Sequence, residues 1–229
     1  MTDTLHEEAA RYALLRRVAP TLRHHMAGEF QPLGMMAALL ERRVQKNELT
    51  GVQEQCAGLG QMSRQAAAHC MDLMNWVAPR GPHELALEDG LGQCAHLLAT
   101  SLRFRGFALV HDSSDVRTQV AGPALRSVLP AALLYLSDSS PGPAQLRLIA
   151  TQHATQHATQ VGVQPGRQQV QVRITLTPTE RTSEPDQTTD QTADYRALQW
   201  ADVCALARAE AVELQRWPDG LALYFAALA

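Results

Sequence analysis

Two adjacent histidines, His24 and His25, are the residues of this chain best suited to chemistry. They lie in "TLRHHMAGEFQPLGMMAALLERR", residues 21 to 43. Near neutral pH an imidazole can act as nucleophile, proton carrier or metal ligand, and the direction of the ring decides which. No Ser/His/Asp or Cys/His arrangement accompanies the pair. His153 and His157 have the i, i+4 spacing that places two ligands on one helix face. They sit in "TQHATQHATQ", residues 151 to 160, a tandem tetrapeptide with no apolar period and no acidic third ligand, so repeat slippage explains them better. Cys56, Cys70, Cys94 and Cys204 form no CxxC; each falls in an apolar helical pattern and reads as a small buried hydrophobe in a reducing compartment. His69 reads as a packing or surface residue. Trp76, Trp200 and Trp217 read as packing anchors, and Asp138-Ser139-Ser140 as a loop after a helix.

The elements that position His24 follow from hydrophobic period. Leu22, Met26, Phe30, Leu33, Ala37, Leu40 and Val44 recur at steps of four and three, one buried stripe of a helix over residues 5 to 46. "KNELTG" breaks it near Gly51. Val52, Cys56, Leu59, Met62, Ala66, Cys70 and Leu73 repeat the spacing until "APRGP" at 78 to 82. Two long helices joined by a short turn make a hairpin, and pairing with a second copy into a four-helix bundle most simply buries both stripes. On the helical wheel His24 lies about 165° from the middle of the first stripe and faces solvent, while His25 lies about 95° off, at the boundary. Arg17 and Gln31, seven residues to either side, share the His24 face, and Gly28 leaves the neighbouring spot bare. The expected site is an exposed imidazole flanked by a cation, with open ground beside it.

Past Pro82 the pattern changes to helices alternating with strands. "ELALEDGLGQCAHLLATSLRFRG" reads as helix, "FALVHD" as strand, and "GPALRSVLPAALLYLSD" as helix despite Pro130. "AQLRLIA" and "QQVQVRITLTP" alternate as strands. "WADVCALARAEAV" is helical, and "ELQRWPDGLALYFAAL" is a hairpin turning at Asp219-Gly220. "TERTSEPDQTTDQTAD", residues 179 to 194, is polar, of low complexity and reads as unstructured. The fold class expected is α+β: a helical hairpin over residues 1–80, then a two-layer α/β sandwich over residues 83–229. Apolar residues make up 45% and aromatics 5%, so Leu, Ala, Val and Met must build the core. A net charge of −3 gives no general attraction to nucleic acid or acidic membranes. No signal-peptide core and no membrane-length apolar run appears, which reads as a cytoplasmic protein.

The His24 stretch resembles the phosphoacceptor helix of two-component histidine kinases, where apolar residues follow the histidine at two, six and nine positions, as Met26, Phe30 and Leu33 do here. His25 stands where that family usually has an acid, and Glu29 where proline is common. The order of a helical hairpin followed by an ATP-binding-type α/β sandwich is similar over roughly residues 10 to 229. The departures concern the nucleotide. Ala131 and Tyr135 stand where the resemblance places asparagines that hold metal and phosphates, and neither can supply the amide oxygen a hard cation needs. Between Gly166 and Gly220 there is no glycine, so the family's Asp-x-Gly-x-Gly element is missing. The resemblance is nearest in kind to kinase-like dimeric histidine phosphotransferases. It implies phosphorelay between receiver-domain aspartates through His24, with no ATP and with Mg²⁺ only on the partner receiver. Arg17, Gly28 and Gln31 would form the docking ground, and the partners would be response-regulator receivers, a hybrid histidine kinase and a second copy of the chain. The alternatives are a non-catalytic adaptor that binds a kinase or response regulator, and a divergent ATP-dependent histidine kinase.

Overall fold

The computed structural model describes residues 2–48, 50–77, 84–112, 116–153, 168–179 and 195–228. The fold class is α+β: five helices, a five-stranded sheet and a two-stranded sheet among the described residues. The chain divides into two compact units, Ala19–Ala78 and a second that joins Met1–Val18 to Pro79–Ala229.

In the smaller unit, helix α1 (Thr2–Gln45) continues from Ala19 onward and α2 (Val52–Met74) follows it. Asn47 (φ 61°) and Gly51 (φ 77°) take left-handed backbone in the turn, and Gly51 caps α2. The expected stripe is only partly covered within the chain. Leu22, Leu40 and Ala66 are buried, but Phe30 and Val44 remain 51% and 54% exposed, with Met35, Leu39, Met71 and Met74 also open.

The larger unit is built on a mixed sheet ordered β2-β4-β5-β7-β6. Its strands are β2 (Phe107–Asp112), β4 (Ala144–His153), β5 (Gln169–Pro178), β6 (Glu213–Trp217) and β7 (Gly220–Ala226). β2 and β4 run parallel, in register from Phe107↔Ala144 to Asp112↔Ile149, and the other pairings are antiparallel. Alternation places Leu146, Leu148, Val170, Val172, Ile174, Leu221, Leu223 and Phe225 in the core, each at most 1% exposed. Helices α3 (Leu87–Phe104), α4 (Gly122–Ser139) and α5 (Trp200–Ala209) supply the rest of the core through Leu91, Leu98, Leu129, Leu133, Val203 and Leu206. Pro130 sits inside α4 without ending it. The helix is almost wholly buried, and packing outweighs the one hydrogen bond a proline removes.

Three sequence expectations change. Glu84–Ala86, read as helix, is strand β1, paired with β3 (Gln119–Ala121) in the small sheet. Leu85 and Leu87 are two residues apart, a strand spacing too short to stand out beside the helical period that runs on from Leu87 and Leu91. The hairpin turn is Pro218-Asp219, with Gly220 already paired to Trp217 in the ladder. A Cβ at Gly220 would collide with the Ile174 carbonyl oxygen and the Trp217 indole, so the glycine serves close packing within the strand. Finally, the boundary drawn at residue 80 does not hold α1 together, because α1 up to Val18 groups with the α/β unit. Ala10, Ala13, Leu14 and Val18 are buried. Arg11 donates to Glu210 at 2.7 Å, and His6 and Asp3 approach Asp202 and Arg208 of α5 at 3.7 and 3.2 Å. His157 and residues 180–194 lie outside the described residues, and His153 ends β4.

Candidate functional site

His24 projects from α1 within the smaller unit and is exposed. Gly28 and Gln31, four and seven residues on, are exposed too and share its face by helix geometry. A Cβ built on Gly28 would meet nothing within 4 Å, so the backbone there is open to a large approaching body. His25 is half-buried, its ring edge-to-face with His24 at a centroid distance of 6.1 Å and an interplanar angle of 76°. His24 is the more exposed of the two imidazoles.

Across the hairpin, His69 Nδ1 of α2 lies 3.0 Å from Glu29 Oε1 of α1. This pair links the helices one turn past His24. Sequence reasoning assigned His69 no partner, because contacts between helices depend on a register that spacing within one helix does not encode. Among the described residues no cluster of three or more His, Cys, Asp or Glu could hold a metal ion.

Arg17 is not the solvent-facing cation the wheel implied. It belongs to the other unit, where its side chain is 5% exposed and grips Asp138 of α4 with Nη1–Oδ2 and Nη2–Oδ1 distances of 2.7 Å each. Asp138 also accepts from Arg105 Nη2 at 2.7 Å and from the Leu198 N–H at 2.9 Å. The physical reason for the correction is that one helix can carry two buried faces. The wheel was centred on the stripe from Leu22 onward, whereas Ala10, Ala13, Leu14, Arg17 and Val18 form a separate stripe against the α/β unit. Asp138, read as loop, sits in the last turn of α4 at the centre of this cluster. Nothing local in the sequence signals a pair 121 residues apart.

Asp202 makes a second buried carboxylate site. Burial pushes its carboxyl up, but the Arg196 guanidinium, bidentate at 2.7 and 2.8 Å, and the Gln199 N–H hold it below its ordinary value.

Ala131 and Tyr135, where the resemblance places asparagines, lie on α4. Ala131 is fully buried. Tyr135 packs against Trp200 with ring centroids 5.6 Å apart, and its hydroxyl accepts from Arg216 Nη1 at 3.0 Å. Arg216 in turn lies 4.8 Å over the Trp200 ring. Neither position presents an amide oxygen to a metal.

No protein-family model matches the chain, and no curated protein matches it. Solved structures similar to it include the Acinetobacter baumannii histidine kinase AdeS, at 13% identity and a TM-score of 0.44 over 85% of this chain and 96% of that one. A histidine kinase from Burkholderia phymatum is similar at 18% identity and a TM-score of 0.38, over 94% and 98% of the two chains. The catalytic domain of histidine kinase ThkA is similar at 14% identity and a TM-score of 0.39, over 63% and 93%.

Proposed function

We propose that the protein relays phosphoryl groups between receiver-domain aspartates through His24, without using ATP. The observation that carries this reading is the exposed His24 imidazole, with Gly28 and Gln31 leaving open ground on its face. A neutral ring nitrogen attacks the phosphorus of an aspartyl phosphate in line. The new N–P bond forms as the P–O bond to the aspartate breaks, the carboxylate leaves, and the other ring nitrogen loses its proton. The reverse sequence on a second receiver completes the relay. Mg²⁺ and a cation on the receiver neutralise the transferred oxygens, so this chain supplies only nucleophile and docking surface. Ala131 and the Tyr135–Trp200–Arg216 packing support the reading that ATP is not the donor. His25 is not required: an acid beside the histidine is the general base expected when ATP is the donor, and aspartyl phosphate needs it less.

The open apolar side chains of the hairpin, Phe30, Met35, Leu39, Val44, Met71 and Met74, support a homodimer in which two hairpins bury each other. A second reading, a non-catalytic adaptor with the same docking surface, is favoured by one observation. Arg17, expected to flank His24, is committed to Asp138.

The test is phosphotransfer from a panel of receivers preloaded with labelled aspartyl phosphate, beside a tube with labelled ATP and Mg²⁺ alone. Acid-labile, alkali-stable label should appear from a receiver, not from ATP, and vanish in His24→Gln. Label from ATP would revive the kinase reading. No label from any receiver that binds the chain would leave the adaptor.

A further inference from the structure

A cavity of about 420 Å³ opens beside the Pro218-Asp219 turn. Its volume falls within the range of small-molecule sites. Leu136 and Leu176 give it apolar surface, Tyr135 and Trp217 give it flat aromatic surface, and Arg216 and Asp219 bring opposite charges to its wall. All six residues belong to the α/β unit.

The two charges select the ligand. Arg216 is fixed in place by its hydrogen bond to the Tyr135 hydroxyl and its seat over Trp200, neither of which neutralises it. Among the described residues, Arg216 ion-pairs with no carboxylate and Asp219 with no cation, and the two do not pair with each other although they share the cavity. A simple anion would satisfy Arg216 and face Asp219 as a like charge. A simple cation would meet the converse. A neutral ligand would leave both unanswered. A molecule carrying one charge of each sign and an apolar body answers all three features at once.

We propose that this cavity binds a small zwitterion of the amino-acid class with an aromatic or aliphatic side chain. The carboxylate lies on Arg216 and the ammonium on Asp219. The side chain rests against Trp217, Tyr135, Leu136 and Leu176. Because Arg216 is held before the ligand arrives, little ordering is needed on binding. The site is independent of phosphotransfer at His24 and would give the α/β unit a ligand-sensing role.

The test is calorimetric titration of the full chain with L-phenylalanine, L-leucine and L-tryptophan. Two one-charge analogues accompany them: 3-phenylpropionate, which lacks the ammonium, and phenethylamine, which lacks the carboxylate. At least one amino acid should bind saturably. Each one-charge analogue should bind about tenfold or more weakly, as loss of a charge-assisted contact predicts. Arg216→Gln and Asp219→Asn should each weaken binding of the amino acid by about tenfold or more. Tyr135→Phe removes the hydroxyl that holds Arg216 and should weaken binding less than Arg216→Gln does. Asp219 is exposed on a turn, so its variant tests the site even where Arg216→Gln disturbs the fold. Saturable binding by none of the amino acids, equal binding of 3-phenylpropionate, or full binding by Asp219→Asn would each overturn the assignment.

Discussion

Asp138→Ala removes the carboxylate that sits between two guanidiniums and a backbone amide. Arg17 and Asp138 are each 5% exposed at the side chain and Arg105 17%, so water cannot readily replace what is lost. Removing one partner of a buried ion pair costs about 3–5 kcal/mol, because the remaining charge stays desolvated. The Leu198 N–H, which donates to Asp138 at 2.9 Å, also loses its acceptor, a loss of about 1–3 kcal/mol that overlaps with the first. The expected total is at least about 4 kcal/mol, which lowers the melting temperature by about 10 °C or more in a protein of this size. Arg17→Met leaves Asp138 paired with Arg105 and the Leu198 N–H, so it should cost clearly less than Asp138→Ala. Arg16→Ala, at an exposed guanidinium over the Tyr195 ring, should cost less than either. Urea and thermal unfolding of the three variants give the ranking. A loss below about 1 kcal/mol for Asp138→Ala would show that the cluster is hydrated and does not anchor α1 to the α/β unit.

Three further outcomes follow from named contacts. Because the folded Asp202 carboxyl is held below its ordinary value, its contribution is present above the unfolded value of about 3.9 and fades as pH falls through the folded value. Asp202→Asn should therefore be less stable than wild type at pH 7, and the difference should shrink in melts taken toward pH 3. Cys56 is exposed, whereas Cys94 is fully buried and burial pushes its thiol up, so a thiol reagent should label Cys56 in the native protein and Cys94 only after denaturation. Phe30→Asp places a charge in the open apolar face of the hairpin. In sedimentation the wild type should run at twice the 25.1 kDa chain mass and the variant at once.

The sequence made the alternation of the sheet legible because β4 and β5 each bury every second residue, as with Leu146 and Leu148 or Val170 and Val172. The solvent side of α1 at His24 was legible for a similar reason, since a wheel needs only one clear stripe. The same wheel failed seven residues earlier. Arg17 faces a surface built by α4 and residues 196–198, and no local pattern announces a partner so distant in the chain. The Tyr135–Trp200–Arg216 packing was hidden for the same reason, although the absence of asparagine at 131 and 135 was plain. The His69–Glu29 contact needed the register of the hairpin, which the turn at Asn47 and Gly51 helps to set.

The most direct test of the central claim is to locate the phosphoryl group itself. The chain is incubated with a receiver that loads it, trapped at alkaline pH and sequenced by mass spectrometry under conditions that keep the N–P bond. The account predicts a single phosphoryl group on His24 and none on His25 or His69. A phosphoryl group on either of those rings, with His24 unmodified, would contradict it.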